Sequence, residues 1–353
     1  MKSREIPYER LLRQRIAGEG LEQPADVVRW MGAVQAQDFA AAKWAVGMRT
    51  AGCTEAAVES AFAAGEILRV HTMRPTWHFV APEDLHWMQT LTAPRVNAIL
   101  ANEYRRLGLD AALLKRSSAV LLKALRDGKQ RTRAELGSIL TADGIPTDGL
   151  RLAHILSHAE LEGIICSGGR RGKQFTYALA NERAAPPRRL GREEGLALLT
   201  ERYFTSHGPA TLKDFAWWSG LTTADARNGL DMVKSRLVSD EIDGQSYWMA
   251  ASAPAARFSR GVAYLLGNYD EYIVGYTDRK AIFDDSYVRH LDSRQNPLFQ
   301  NTIVSRGWIV GTWKRTIRGR AAGIEAKPFQ KLQKVEVRGV RQATERLMKF
   351  WKG

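Results

Sequence analysis

RTRAELGSILTADGIPTDGLRLAHILSHAELEGIICS, residues 131–167, decides how the fold is read. Thr132 is followed three residues later by Glu135, the pair that closes a capping box, so a helix is expected to start there. Leu150, Leu152, Ile155, Leu156, Ala159 and Leu161 then recur at roughly helical spacing and predict a second helix with one apolar face. Upstream, SSAVLLKALRDG (117–128) reads as a helix stopped by Gly128. Downstream, IICS (164–167) and QFTYALA (174–180) read as two strands around the turn GGRRGK. Three helices followed by a two-stranded wing is the order of a winged helix, a relative of the helix-turn-helix.

The order recurs. After the Pro- and Arg-rich linker ERAAPPRRLGR (182–192) come GLALLTERYFTSHG (195–208), ATLKDFAWWSG (210–220) and TADARNGLDMVKSR (223–236) as helices. LVSDEIDGQSYWMA (237–250) follows as a hairpin turned at Asp243-Gly244. A looser version spans about residues 8–80: ERLLRQRIA, PADVVRWMGAV, TEAAVESAFAAGE, then ILRVHTMRPTWHFV (67–80) as strand. From AYLLGNYDEYIVGY (263–276) the pattern turns β-rich and closes on a helix, VRQATERLMKFW (340–351). The expected fold is α+β, with winged helices at 1–116, 117–182 and 183–252 and a small, basic, β-rich domain at 253–353.

The 353 residues carry 52 Lys and Arg against 38 Asp and Glu, a net charge of +14. Such an excess favours a polyanionic partner, because bound Lys and Arg release counterions from a phosphate backbone. From Arg306 onward the imbalance sharpens to thirteen basic residues against three glutamates. No run approaches the ~18 apolar residues of a membrane span. The opening MKSREIPYERLLRQR lacks the apolar core of a secretory signal. Cys53 and Cys166 are too few for a zinc or disulfide framework, so a reducing cytoplasm is the expected setting.

Three stretches offer chemistry. In VQAQDFAAAKW (34–44), Gln35 and Gln37 would point about 200° apart on a helix but share a face on an extended segment. They can cooperate only if the helix from Pro24 ends near Ala33 or Val34, with Asp38 capping the next one. The alternative is that the amides satisfy backbone groups at that junction. HTMRPTWHFV (71–80), read as one strand with Pro75 at an edge or bulge, aligns Thr72, Arg74, Thr76 and His78 on a polar face suited to a cleft or a phosphate backbone. His71, His78 and His86 lack a zinc-ligand spacing, and no metal is expected. In NYDEYIVGYTDR (268–279), Asp270, Glu271 and Asp278 can do acid–base work or hold arginines in place. Lys43 would form a Schiff base only if desolvated and is expected to face solvent.

VVRWMGAVQAQDFAAAKWAVGMR (27–49), LRVHTMRPTWHFVAPEDLHWM (68–88), GNYDEYIVGYTDR (267–279) and IVGTWKR (309–315) resemble, in this order, the AlkZ-like bacterial DNA glycosylases. The resemblance runs from about residue 8 to the C-terminus. It implies three tandem winged helices forming a C-shaped, basic concave surface, completed by the small β-rich domain. The family's catalytic signature, Gln–apolar–Gln, would be Gln35-Ala36-Gln37, whereas a related branch carries Asp at the second position. Asp38, Thr72 and His78 are candidates for support, and Arg74, Arg170, Arg171, Lys173, Arg315, Arg318 and Arg320 for DNA contacts. The implied activity is cofactor-free, monofunctional excision of N7-alkylated purines from double-stranded DNA, including bulky or interstrand-crosslinked adducts of genotoxic natural products. The expected protein is a cytoplasmic, nucleoid-associated monomer without membrane contact. The alternative is a non-catalytic winged-helix DNA-binding protein or transcriptional regulator.

Overall fold

Thr132 caps the helix Arg133–Ala142 as the sequence implies: its hydroxyl accepts from Glu135 N–H, and Glu135 Oε2 accepts from Thr132 N–H at 2.7 Å. A cap of this kind is worth about 1 kcal/mol. The preceding helix starts at Ala111 rather than Ser117, because Asp110 supplies an N-cap that accepts from Leu113 N–H at 2.8 Å. The next helix is Arg151–Leu161, and the strands Ile165–Ser167 and Thr176–Leu179 pair antiparallel with Cys166 opposite Ala178. Arg131–Thr132 adds a third strand beside Thr176 and Tyr177. Leu121, Leu125, Leu136, Leu140, Ile155, Leu156, Ile165 and Leu179 fill the core between helices and sheet.

This computed structural model describes residues 2–184, 190–252, 261–318 and 321–352. Two units emerge, each mixing helix and strand in an α+β manner: Ser60–Leu196 with Ser219–Leu221, and Met1–Glu59 with Ala197–Trp218 and Thr222–Gly353.

In the first of these units the stretch 67–80 departs from expectation. It is a hairpin, Leu68–Thr72 paired with Thr76–Val80, with Thr72 opposite Thr76 and Val70 opposite His78. The chain reverses at Met73–Pro75, with Met73 at φ 57°. Gly220 makes room for that turn, since a Cβ there would lie 2.1 Å from the Met73 carbonyl oxygen. The polar face anticipated from alternation is therefore not a cleft wall, and Leu68–Thr72 is buried throughout.

In the second unit, the helices Leu212–Ser219 and Thr223–Val233 lead into the hairpin Leu237–Ile242 and Gln245–Ala250. Asp243 (φ 53°) and Gly244 (φ 74°) at its turn have the left-handed conformations of a type I′ turn. Ala263–Leu266, Thr302–Ser305, Trp308–Arg318 and Ala321–Pro328 form an antiparallel meander of four strands. The helix Lys334–Lys352 packs across Phe39–Arg49. Gly47 admits the Phe350 ring, which a Cβ would meet at 2.2 Å, and Trp44 lies 5.0 Å from the same ring. Trp44 Nε1 donates to Leu265 O at 2.6 Å, which ties the helix to the sheet. Among the described residues no helix is long and apolar enough to cross a membrane.

Candidate active site

The helix Pro24–Met31 ends where Gly32 turns out at φ 78°, and Val34–Gln35 is extended. The next helix, Phe39–Arg49, opens on Asp38, whose Oδ1 accepts from Ala41 N–H at 3.0 Å. Gln35-Ala36-Gln37 is thus a non-helical hinge between two helices, the break that shared work by the amides requires. The two amides are not equivalent. Gln35 is buried, and its Oε1 accepts from Gln37 N–H at 2.9 Å. Gln37 is exposed, and its side-chain amide has no hydrogen-bond partner among the described residues.

Beneath the hinge lies Glu271, 1% exposed. Its Oε1 accepts from the main-chain N–H of Gln35 at 2.6 Å, and its Oε2 from Trp218 Nε1 at 2.9 Å and His207 Nε2 at 3.3 Å. The other oxygen of Asp38, Oδ2, accepts from Asn268 Nδ2 at 3.3 Å. Both carboxylates touching the hinge therefore have both oxygens engaged. Sequence reasoning singled out Glu271 without its role and passed over His207, Trp218 and Asn268. Asn268 and Glu271 share the GNYDEY stretch, and that short motif is the one signal that could have found them.

The same stretch supplies Asp270, which does hold an arginine. Arg49 Nη2 and Nη1 donate to Asp270 Oδ1 and Oδ2 at 2.8 and 3.0 Å, both residues being buried. Gln14 completes the network: its Oε1 accepts from Arg49 Nη2 at 2.8 Å, and its Nε2 donates to the Glu271 carbonyl at 3.2 Å. Asp278 is exposed and caps a local turn, accepting from Lys280 N–H.

Lys43 does not face solvent as expected. It is buried, with Nζ 2.7 Å from both Glu55 Oε1 and Glu59 Oε2. Glu55 and Glu59 lie four residues apart on the helix Glu55–Ala64, so one face presents both. Held between two carboxylates, the Lys43 amine is not presented to solvent as a nucleophile. Burial pushes the Cys166 thiol up to about 12 and raises Cys53 as well, which leaves neither as a thiolate at neutral pH.

Thr72, His78 and Arg74 belong to the unit Ser60–Leu196, not to the unit holding the glutamines. Thr72 is buried with its hydroxyl 3.1 Å from Thr92 Oγ1. His78 is wholly buried, its Nδ1 3.0 Å from Thr76 O, and Arg74 sits half-buried at the hairpin turn. Neither Thr72 nor His78 is open to a substrate as expected. Of the wing residues, Arg171 Nη1 is paired with Glu135 Oε1 at 2.8 Å, Arg170 lies over the Phe175 ring, and Lys173 is exposed. Arg315 is exposed over Trp351, 4.5 Å from its ring. Arg318 ends the strand that pairs with Ala321–Pro328, and Arg320 lies outside the described residues.

Burial holds His78 well below the ordinary imidazole value and lowers His207 too. In the unfolded chain both take up protons near pH 6.5. Below that pH the unfolded state binds more protons than the folded one, so stability falls as pH drops. The melting temperature is expected to be lower at pH 5.5 than at pH 7.5. A thermal melt at the two pH values checks this, and an unchanged Tm would contradict neutral, buried imidazoles.

Gln35 and Gln37 thus form a neutral, non-helical hinge backed by the buried carboxylate of Glu271, in a chain whose net charge is +14. A family model for AlkZ-like DNA glycosylases matches residues 28–350, and the chain belongs to that family, hydrolases acting on N-glycosyl bonds. It is 24% identical over 323 residues to the interstrand DNA cross-link repair glycosylase of Streptomyces sahachiroi, covering 86% of this chain and 85% of that protein. The solved structure of the Streptomyces sahachiroi DNA glycosylase AlkZ superposes with a TM-score of 0.82 at 20% identity, over 99% of this chain and 96% of that one. Family membership sets aside the reading as a non-catalytic regulator.

Proposed function

We propose that the chain excises N7-alkylated purines from duplex DNA, including bulky and interstrand-crosslinked adducts, as a monofunctional glycosylase. The observation that carries this reading is the engagement of both oxygens of Asp38 and of Glu271. Glu271 is buried beneath the hinge and Asp38 is turned to cap the next helix, so neither serves as the base in this reading, and a glutamine amide does not take up a proton near neutral pH. The substrate must then bring its own activation. An N7-alkylpurine is a cation, and breaking its C1′–N9 bond sends the bonding electrons into the ring and neutralises it. Water adds to the cationic C1′, and its surplus proton passes to solvent. In this scheme the Gln37 carbonyl oxygen accepts from the attacking water, while Gln35 fixes the turn through Gln37 N–H and keeps one lone pair for the same water.

The wing residues Arg170, Arg171 and Lys173, with Arg315, Arg318 and Arg320, serve in this reading as phosphate contacts, with 1–116, 117–182 and 183–252 as winged helices and 253–353 as the basic module. The protein works as a monomer in the cytoplasm, on the nucleoid. The name of the Streptomyces sahachiroi relative supports crosslinks as the adduct class.

Incubating the protein with N7-methylated duplex DNA tests the reading. Free 7-methylguanine is expected to appear with turnover, leaving abasic sites, and borohydride in the same mixture is expected to trap no protein–DNA adduct, since Lys43 is clamped. No release would sink the substrate proposal, and a trapped adduct the monofunctional one.

A further inference from the structure

Within the unit Ser60–Leu196 lies a groove of about 600 Å³ that contains none of the hinge residues. Its apolar wall is built from Trp77, Phe175 and Tyr177, all half-buried. The rings are fixed by cations: the Arg69 guanidinium carbon lies 4.3 Å from the Trp77 ring and 4.7 Å from the Phe175 ring. On its other flank Trp77 meets the His71 ring at 4.3 Å, and His71 is itself pinned to buried Glu160. Arg133 and Lys173 stand exposed at the rim, and neither has a carboxylate partner among the described residues. The acid nearest them in sequence, Glu135, is already committed to Thr132 and Arg171, which hold its carboxyl down at about 2. The volume falls in the range of small-ligand sites, roughly 300–1,000 Å³.

Fixed aromatic faces beside unpaired cations match the chemistry of a nucleotide, a flat π-system attached to a phosphate. We propose that this groove holds one unpaired nucleotide of a DNA strand, its base stacked on Trp77, Phe175 and Tyr177 and its phosphate against Arg133 and Lys173. Choosing DNA as the source rests on family membership; the stacking chemistry does not. A paired base shows only its edge to a protein and cannot enter, so the site selects strand that has left the duplex. It thereby serves to hold the distorted region around a lesion without taking part in bond cleavage.

The test compares a duplex bearing one bulged 2-aminopurine nucleotide with the fully paired duplex and with free 2-aminopurine deoxynucleoside monophosphate. The wild-type protein is expected to bind the bulged duplex about tenfold more tightly than the paired one, with quenched 2-aminopurine fluorescence, the size of one base–aromatic stack. Phe175→Leu and, separately, Arg133→Ala are expected to erase most of that preference, with circular dichroism melts confirming folded variants. Equal wild-type binding of bulged and paired duplexes would overturn the proposal, as would a full preference in both folded variants. Free nucleotide binding as tightly as the bulged duplex would overturn the strand assignment. Release of 7-methylguanine is read separately, so failure here and failure of the glycosylase reading are distinguishable.

Discussion

Asp270→Ala is expected to destabilise the protein by about 3–5 kcal/mol, the cost of removing one partner from a buried ion pair. Arg49 is 1% exposed, and its bidentate contact with Asp270 is the only charge compensation it has among the described residues. Its remaining partners, the Gln14 and Ala45 carbonyls and Gln14 Oε1, are neutral. The alanine would also free Tyr272 N–H, which donates to Asp270 Oδ1 at 2.9 Å. Urea unfolding followed by circular dichroism measures the effect, as a shift in midpoint at unchanged slope. Asp270→Asn keeps an acceptor for both neighbours but not the charge, and is expected to recover part of the loss. A loss below about 1 kcal/mol would mean that water reaches the guanidinium and that the network is not the support inferred here.

Glu271→Ala is expected to lower kcat for 7-methylguanine release about 100-fold with little change in KM, because it loosens the hinge without touching a DNA-contact residue. The carboxylate grips the main chain of Gln35 at 2.6 Å, and Gln35 in turn orders Gln37 N–H. A displacement of about 1 Å in a positioning residue suffices for such a loss. Gln37→Ala removes the amide itself and is expected to cost a similar factor. Because the residues act as one unit, the double variant should be little worse than either single one. Multiplying losses would show that Glu271 acts by a separate route. Single-turnover rates on methylated duplex, with melts to exclude unfolding, make the comparison.

Much of this arrangement was legible in the chain. The capping box at Thr132 and Glu135, the Asp243-Gly244 turn and the break before Gln35 all depend on contacts three residues apart or fewer, and such contacts are written in local spacing. The Met73–Pro75 reversal was not legible: polar and apolar residues alternate straight across it, and the space it needs is provided by Gly220 far down the chain. The burial of Lys43 was recoverable, since Glu55 and Glu59 fall on one helical face. The anchor of the hinge was not, because Glu271 meets Gln35 across 236 residues and Trp218 and His207 across 53 and 64. Spacing within a segment says nothing about such a meeting.

The grip of Glu271 falls on the N–H of residue 35, a group that every residue except proline carries. That contact does not depend on the side chain at position 35, whose amide oxygen makes its own bond to Gln37 N–H. Position 37 is exposed and makes no side-chain bond within the described protein, so a substitution there leaves both of these contacts in place. If Gln37 positions the water as proposed, a carboxylate at position 37 would sit in the same fixed frame and supply a stronger base, at the expense of selectivity for activated leaving groups.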